Sequence, residues 1–355
     1  ITVTDTKGNI NDNFWNTVFE DMTLYATWID LETEFADYEY SINSYGICIT
    51  KYNGDKSNVV IPNGAARIGE DAFNKCTSLT SITIPASVKS IDCAFYGCDN
   101  LKTIYYTGDV AGWCGVSCCR NIMGNDRVLY IGGQKVEGNL IIPEGVTRID
   151  RGTFYGCKDL TSITIPESVT DIGANAFAYC TGLTRVTIPD SITYMGNGVF
   201  YGCDNLANIY YNGDVASWCE FGYCEELMLV NTGKNGITLY INGTNVNEGL
   251  IIPDGVTEIK GYAFYGIKGL TSVTLPKSLK SIYNYAFHGC DNLVNIYYTP
   301  LYNDETRLSS NMICENRQQI ALKLYLTYQP DVTGNGGYNV VCIFHIVVGK
   351  EGLFI

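Results

Sequence analysis

Cysteines, two histidines and a recurring aspartate are the residues with which this chain could do chemistry. Six of the fifteen cysteines, Cys76, Cys98, Cys157, Cys180, Cys203 and Cys290, each follow a phenylalanine by three residues. Ile267 holds the same place after Phe264. A place that accepts isoleucine uses cysteine for its small apolar bulk, which predicts buried reduced thiols rather than disulfides or metal ligands. Cys114 with Cys119 and Cys219 with Cys224 share a second spacing. Two thiols fall short of the four ligands that zinc takes, which leaves a local disulfide or apolar packing of a short helix. His288 sits in a turn where most other copies carry tyrosine, and His345 stands in an unrelated setting. No H-E-x-x-H, G-x-S-x-G or phosphate-cradling glycine loop is present. Asp99, Asp159, Asp204 and Asp291 follow the cysteine position by one or two residues. That recurrence reads as turn chemistry, with the carboxylate accepting local N–H groups. A calcium ladder is the alternative, but one carboxylate per turn is few for a cation that takes several oxygens. The reading is of a protein with no catalytic residues, no metal and no cofactor.

The elements that position these residues are copies of one unit. Between Leu140 and Asn208 three copies align without gaps at a period of 23 residues. Ile142, Ile165 and Ile188 fall in step, as do Pro143, Pro166 and Pro189, then Phe154, Phe177 and Phe200. Such a period marks a solenoid, in which one coil cannot bury its own apolar side and stacks on the next. In the second copy Leu160, Ile163 and Ile165 should point inward, with Thr161 and Thr164 outward. Pro166 should end that strand's ladder, because it has no N–H to donate. Val169 and Ile172 should return to the core on an opposite wall, and Ala176, Phe177 and Cys180 should close the turn.

The phrase SITIPESVTDIGANAFAYCTGL resembles the BspA-type leucine-rich repeat of bacterial and protist surface proteins. The resemblance covers roughly residues 38 to 298, in seven copies. It implies a mainly β, right-handed leucine-rich-repeat solenoid of about seven coils with short helices, on a secreted bacterial protein of the cell surface. It also implies non-enzymatic adhesion to host or neighbouring-cell proteins, extracellular-matrix proteins among them. A structural spacer that projects another domain from the cell wall is the alternative. The motif is one of fold, so the resemblance carries over no functional residue.

Outside the repeat, VFEDMTLYATW within residues 1–28 resembles the end of a small β-rich Listeria–Bacteroides repeat of internalin-type proteins. Residues 29–57 read as a linker followed by a capping hairpin, Tyr38–Ile42 and Ile47–Tyr52, because an open coil end exposes core and strand edges. The solenoid is expected over 58–300. One residue is missing between Ile91 and Ala94, which a surface turn would tolerate. Two related inserts, 105–138 and 210–249, interrupt the period; the second is five residues longer in its middle. In each, Asp109 or Asp214 should cap a short helix, and LYIGG or LYING signals a strand and turn. Residues 301–355 read as a terminal cap or the start of another domain. The chain opens in mid-domain and shows no signal peptide, so it is expected to be a piece of something longer.

With 46% apolar and 17% charged residues the chain has ample core. A net charge of −14 argues against nucleic acid and anionic membrane as main partners, since both favour a basic face. No apolar run is long enough to span a bilayer. The 27 tyrosines suit contact with protein or glycan, and the reading is of a monomer. Outward threonine columns, Thr164 and Thr187 among them, serve as a β surface or as a binding face. The tyrosine pairs beside the inserts and at the solenoid end, Tyr105 and Tyr106, Tyr210 and Tyr211, Tyr297 and Tyr298, complete the candidate contact residues.

Overall fold

The computed structural model describes residues 31–118, 122 and 127–229, then 236–298 and the strands at 321–328, 340–349 and 352–354. The surface-repeat reading of residues 1–28 lies outside these, and so do Cys119 and the side chain of Tyr298. Within the described residues the chain winds as a solenoid with two β walls. The main wall carries the Ile-x-Ile strands: Ser81–Ile84, Leu160–Thr164, Arg185–Ile188 and their counterparts. The second wall is made of two-residue strands such as Arg148–Ile149, Asp171–Ile172 and Tyr194–Met195.

Register follows the sequence period. Ile163 lies opposite Val186 and Ile172 opposite Met195, both in parallel pairs. Each inward position therefore becomes a ladder of like residues. Phe154, Phe177 and Phe200 stack with centroids 5.4 and 5.6 Å apart and planes within 8°. Phe264 and Phe287 repeat the arrangement at 5.2 Å. Each of these rings is buried, a burial that contributes about 1.5–3 kcal/mol. The turns ladder too: the N–H of Phe154 donates to the Ala176 carbonyl, and that of Phe177 to Val199. The missing residue after Ile91 falls at a turn, where Asp92 is half-buried and Cys93 exposed.

Among the described residues the main wall makes ten parallel strand-to-strand steps, three more than the seven repeat copies. Both inserts close a coil of their own: Val128–Ile131 pairs with Thr103–Tyr106, and Thr238–Ile241 with Asn208–Tyr211. The tenth step pairs Asn295–Tyr298 with Ala321–Tyr328, which continues antiparallel into Val340–Gly349.

The wall is divided into three blocks, because each insert strand turns back on itself. Gly132 and Gly133, with φ of 55° and 80°, make one hairpin turn, and Asn242 and Gly243 make the other. Two successive positive φ values form the turn that matches strand twist. The next block then starts a new sheet.

At the other end, Tyr38–Asn43 and Gly46–Tyr52 form an antiparallel hairpin, which joins the second wall through Ala65–Ile68. The stretch before it is more than linker. Leu31–Glu34 is a helical turn, here α1, and Phe35 is buried against Tyr38 and Tyr40.

Candidate binding face

The inserts show what their motif does locally. Helix α2 (Val110–Cys114) begins at Asp109, whose carboxylate accepts the Gly112 N–H at 2.7 Å. Helix α3 (Val215–Glu220) begins at Asp214, which accepts from the Ser217 N–H in a capping box. A further helix, α4 (Cys224–Met228), occupies the longer middle of the second insert. The Trp-Cys pair ending each phrase then clamps the seam to the next block. The indole N–H of Trp113 donates to the Thr153 carbonyl and that of Trp218 to Ala263, both at 2.8 Å and buried. The carbonyls of Cys114 and Cys219 accept from the Asp150 and Lys260 N–H groups.

Twelve of the cysteines are free thiols, Cys219 and Cys224 among them. Burial pushes Cys114 and Cys219 up to about 12. The periodic cysteines do more than fill space. The thiols of Cys98, Cys180, Cys203 and Cys290 donate to the carbonyls of Phe73, Phe154, Phe177 and Phe264, one coil earlier, at 2.9–3.2 Å. Ile267 stands in the first coil after the second insert.

The recurring aspartates are exposed, and the coil-to-coil bond at that turn belongs to the asparagine beside three of them. Asn100, Asn205 and Asn292 donate their amides to the carbonyls of Thr77, Thr181 and Lys268. Asp159 instead pairs with Lys135. Among the described residues no group of three or more His, Cys, Asp or Glu could hold a metal ion. His288 is half-buried and stacks on Tyr265 at 5.1 Å.

On the main wall the predicted contact residues divide by strand alternation. Tyr105 is 38% exposed and Tyr297 39%, whereas Tyr106 and Tyr211 are buried beside Trp113 and Trp218. Successive residues of a strand face opposite sides, so Tyr106 and Tyr211 are core residues and leave the contact set. Thr164, Thr187 and Tyr210 face outward and are half-buried. Two other outward threonines serve the fold: the hydroxyls of Thr80 and Thr184 donate to carbonyls one coil back.

What remains outward is one column repeated three times. In the first block it reads Val60, Thr83, Tyr105, Tyr130. In the second it reads Ile141, Thr164, Thr187, Tyr210, Tyr240. In the third it reads Ile251, Thr274, Tyr297, with Tyr325 next in register. The Tyr210 and Tyr240 rings stack at 4.5 Å and 9°, and Tyr105 and Tyr130 lie 5.1 Å apart. Tyr130 and Tyr240 were legible in the twin LYI phrases, but their pairing with Tyr105 and Tyr210 needed the insert to close a coil.

A family model described as "BspA type Leucine rich repeat region" matches residues 51–112, 135–242 and 239–328, in six copies. No curated protein matches the chain. Among solved structures, the chain is similar to a leucine rich cell surface protein from Faecalibacterium prausnitzii A2-165, at 22% identity and a TM-score of 0.39, covering 74% of this chain and 87% of that one. A leucine-rich repeat protein from Bacteroides ovatus is 19% identical over 86% of this chain and 100% of its own, with a TM-score of 0.31. The pneumococcal vaccine antigen PcpA is 14% identical over 82% and 92%, with a TM-score of 0.40.

Proposed function

The chain belongs to the BspA-type leucine-rich-repeat family, and from that premise we propose that it is a non-enzymatic adhesion protein of a bacterial cell surface. Its main wall would contact an extracellular-matrix protein or another surface protein. The observation that carries this reading is the outward column, which ends in an aromatic pair in each of the first two blocks. Tyrosine supplies large contact area at little entropic cost, since its side chain has two rotatable bonds. Aromatic anchors dominate the energetics of protein interfaces. The column also repeats along one wall, so a long partner could meet three equivalent patches at once, with a gain from effective concentration. The acidic balance of −14 favours a partner with a basic or neutral surface. No helix among the described residues is long and apolar enough to cross a membrane.

The test is binding of the chain to a panel of immobilised matrix proteins and glycans, beside the variant Tyr105→Ala/Tyr210→Ala/Tyr297→Ala. The expected result is saturable binding to at least one protein, weakened about tenfold or more in the variant. Silence across the panel from folded protein would favour a spacer that projects another domain. Equal binding by the variant would place the contact elsewhere.

A further inference from the structure

Among the described residues, each block of the main wall begins with a strand that pairs on one side only: Asn58–Val60, Gly138–Ile141 and Leu250–Ile251. The residue at the head of each outward column, Val60, Ile141 or Ile251, stands on that open edge. The N–H groups of the next residues, Ile61, Ile142 and Ile252, donate into the block, to Thr83, Thr164 and Thr274. In a parallel ladder the preceding residue's own N–H and C=O then point the other way, toward the open side. Val60 is 67% exposed, Ile141 61% and Ile251 69%. Within the blocks the same column carries threonine and tyrosine. Aliphatic side chains thus sit where the edge is open, whereas proteins usually blunt such edges with lysine, proline or a bulge.

The first edge shows what the position recruits. The Tyr38 hydroxyl, from the N-terminal hairpin, donates to the Val60 carbonyl at 3.1 Å. At Ile251 no such donor occurs among the described residues. Instead a cavity of about 340 Å³ opens beside it. It is lined by the hairpin arm Thr244–Asn245 and the Leu250–Ile251 strand, with Val215, Ile241 and Val246 as its other apolar residues. Its one carboxylate, Asp214, already accepts the Ser217 N–H. The recognition elements present are an open backbone N–H and C=O beside branched aliphatic walls. That is the chemistry that takes an added β-strand, where main-chain bonds give affinity and a side-chain pocket gives preference.

We propose that the seam between the second and third blocks is a strand-addition site. It binds an extended segment of a partner protein that pairs with the Ile251 N–H and C=O and sets a branched aliphatic side chain over Ile241 and Val246. The site does not depend on the tyrosine column being a contact face.

The probe is a set of capped hexapeptides alternating threonine with valine, isoleucine or leucine, beside the same peptides N-methylated at alternate residues. Amide hydrogen exchange at Ile251 is followed by NMR on the full chain, as is binding. The expected result is exchange slowed about tenfold or more by a plain peptide, no effect from its N-methylated form, and loss of binding in Ile251→Lys. That side chain is already exposed, so the variant retains the fold. Tyr297→Ala should bind the peptide as the parent does, which separates failure of this site from failure of the tyrosine face. Unchanged exchange with every peptide would overturn the proposal. Protection already present in the free protein would also overturn it: independent of concentration, it would mean that the chain fills its own edge, and rising with concentration, that a second copy does.

Discussion

Tyr106 and Tyr211 occupy the same position in the two insert coils, each buried against the tryptophan of its seam at 4.9 Å, yet their hydroxyls meet opposite fates. The Tyr211 hydroxyl donates to the Asp190 carboxylate at 2.6 Å and lies 3.2 Å from the Ser217 hydroxyl. At the first seam the corresponding residues are Ala86 and Gly112, and the buried Tyr106 hydroxyl has no hydrogen-bond partner among the described residues. Removing the two hydroxyls should therefore act with opposite signs. Tyr211→Phe loses a bond to a charged acceptor and should cost about 1.5–3 kcal/mol. Tyr106→Phe deletes an unsatisfied buried group and should stabilise by about 1 kcal/mol or more, within the 1–3 kcal/mol desolvation cost of such a group. Urea unfolding of both variants beside the parent gives the shift in midpoint. Hydrogen exchange in Trp113–Val116 and Trp218–Phe221 ties each shift to its own insert, which matters because long repeat arrays can unfold in parts. Equal destabilisation by both substitutions would refute the reasoning, because it would mean that Tyr106 has a partner. Ala86→Asp should supply such a partner and make Tyr106→Phe costly.

Trp218→Phe should leave the Ala263 carbonyl buried without its donor, at a cost of about 1–3 kcal/mol, with exchange quickening first around Ile259–Ala263. Stability should fall as pH rises above the ordinary thiol value. Burial raises Cys114, Cys157, Cys219 and Cys290 from 9.0 to about 12. A raised folded value means that stability is fully present below pH 9 and is lost from there toward pH 12, by up to about 1.4 kcal/mol per pH unit for each thiol. A flat urea midpoint between pH 8 and pH 11 would contradict those burials. Peptide mapping after alkylation of the unreduced, denatured chain should find Cys219 and Cys224 both alkylated, and a bridge between them would oppose the free thiols seen here. Cys203→Val should cost about 0.5–1.5 kcal/mol for the lost donation to Phe177, whereas Ile267→Val, with no such bond at stake, should show only the loss of a methylene group, about 0.8 kcal/mol.

The sequence by itself determined the winding. A 23-residue spacing of Ile, Pro, Phe and Cys admits one economical burial, in which every coil covers the apolar side of the next. The inward residues, the helix caps at Asp109 and Asp214, and the twin turns after Ile131 and Ile241 follow from local rules of periodicity and capping, and could be read without coordinates. The reach of the inserts could not. A local phrase such as GDV-x-x-WC carries no information about the carbonyl 40 residues away that its indole meets. Only the fold shows that each insert completes a coil and that Tyr130 falls beside Tyr105. The same holds for burial within a Tyr-Tyr pair, where chain neighbours look alike until strand alternation puts one inside and one out. The open edge at Ile251 lies furthest from the sequence. Whether a strand has a neighbour on both sides depends on where the preceding hairpin turns away, and that is decided by tertiary packing.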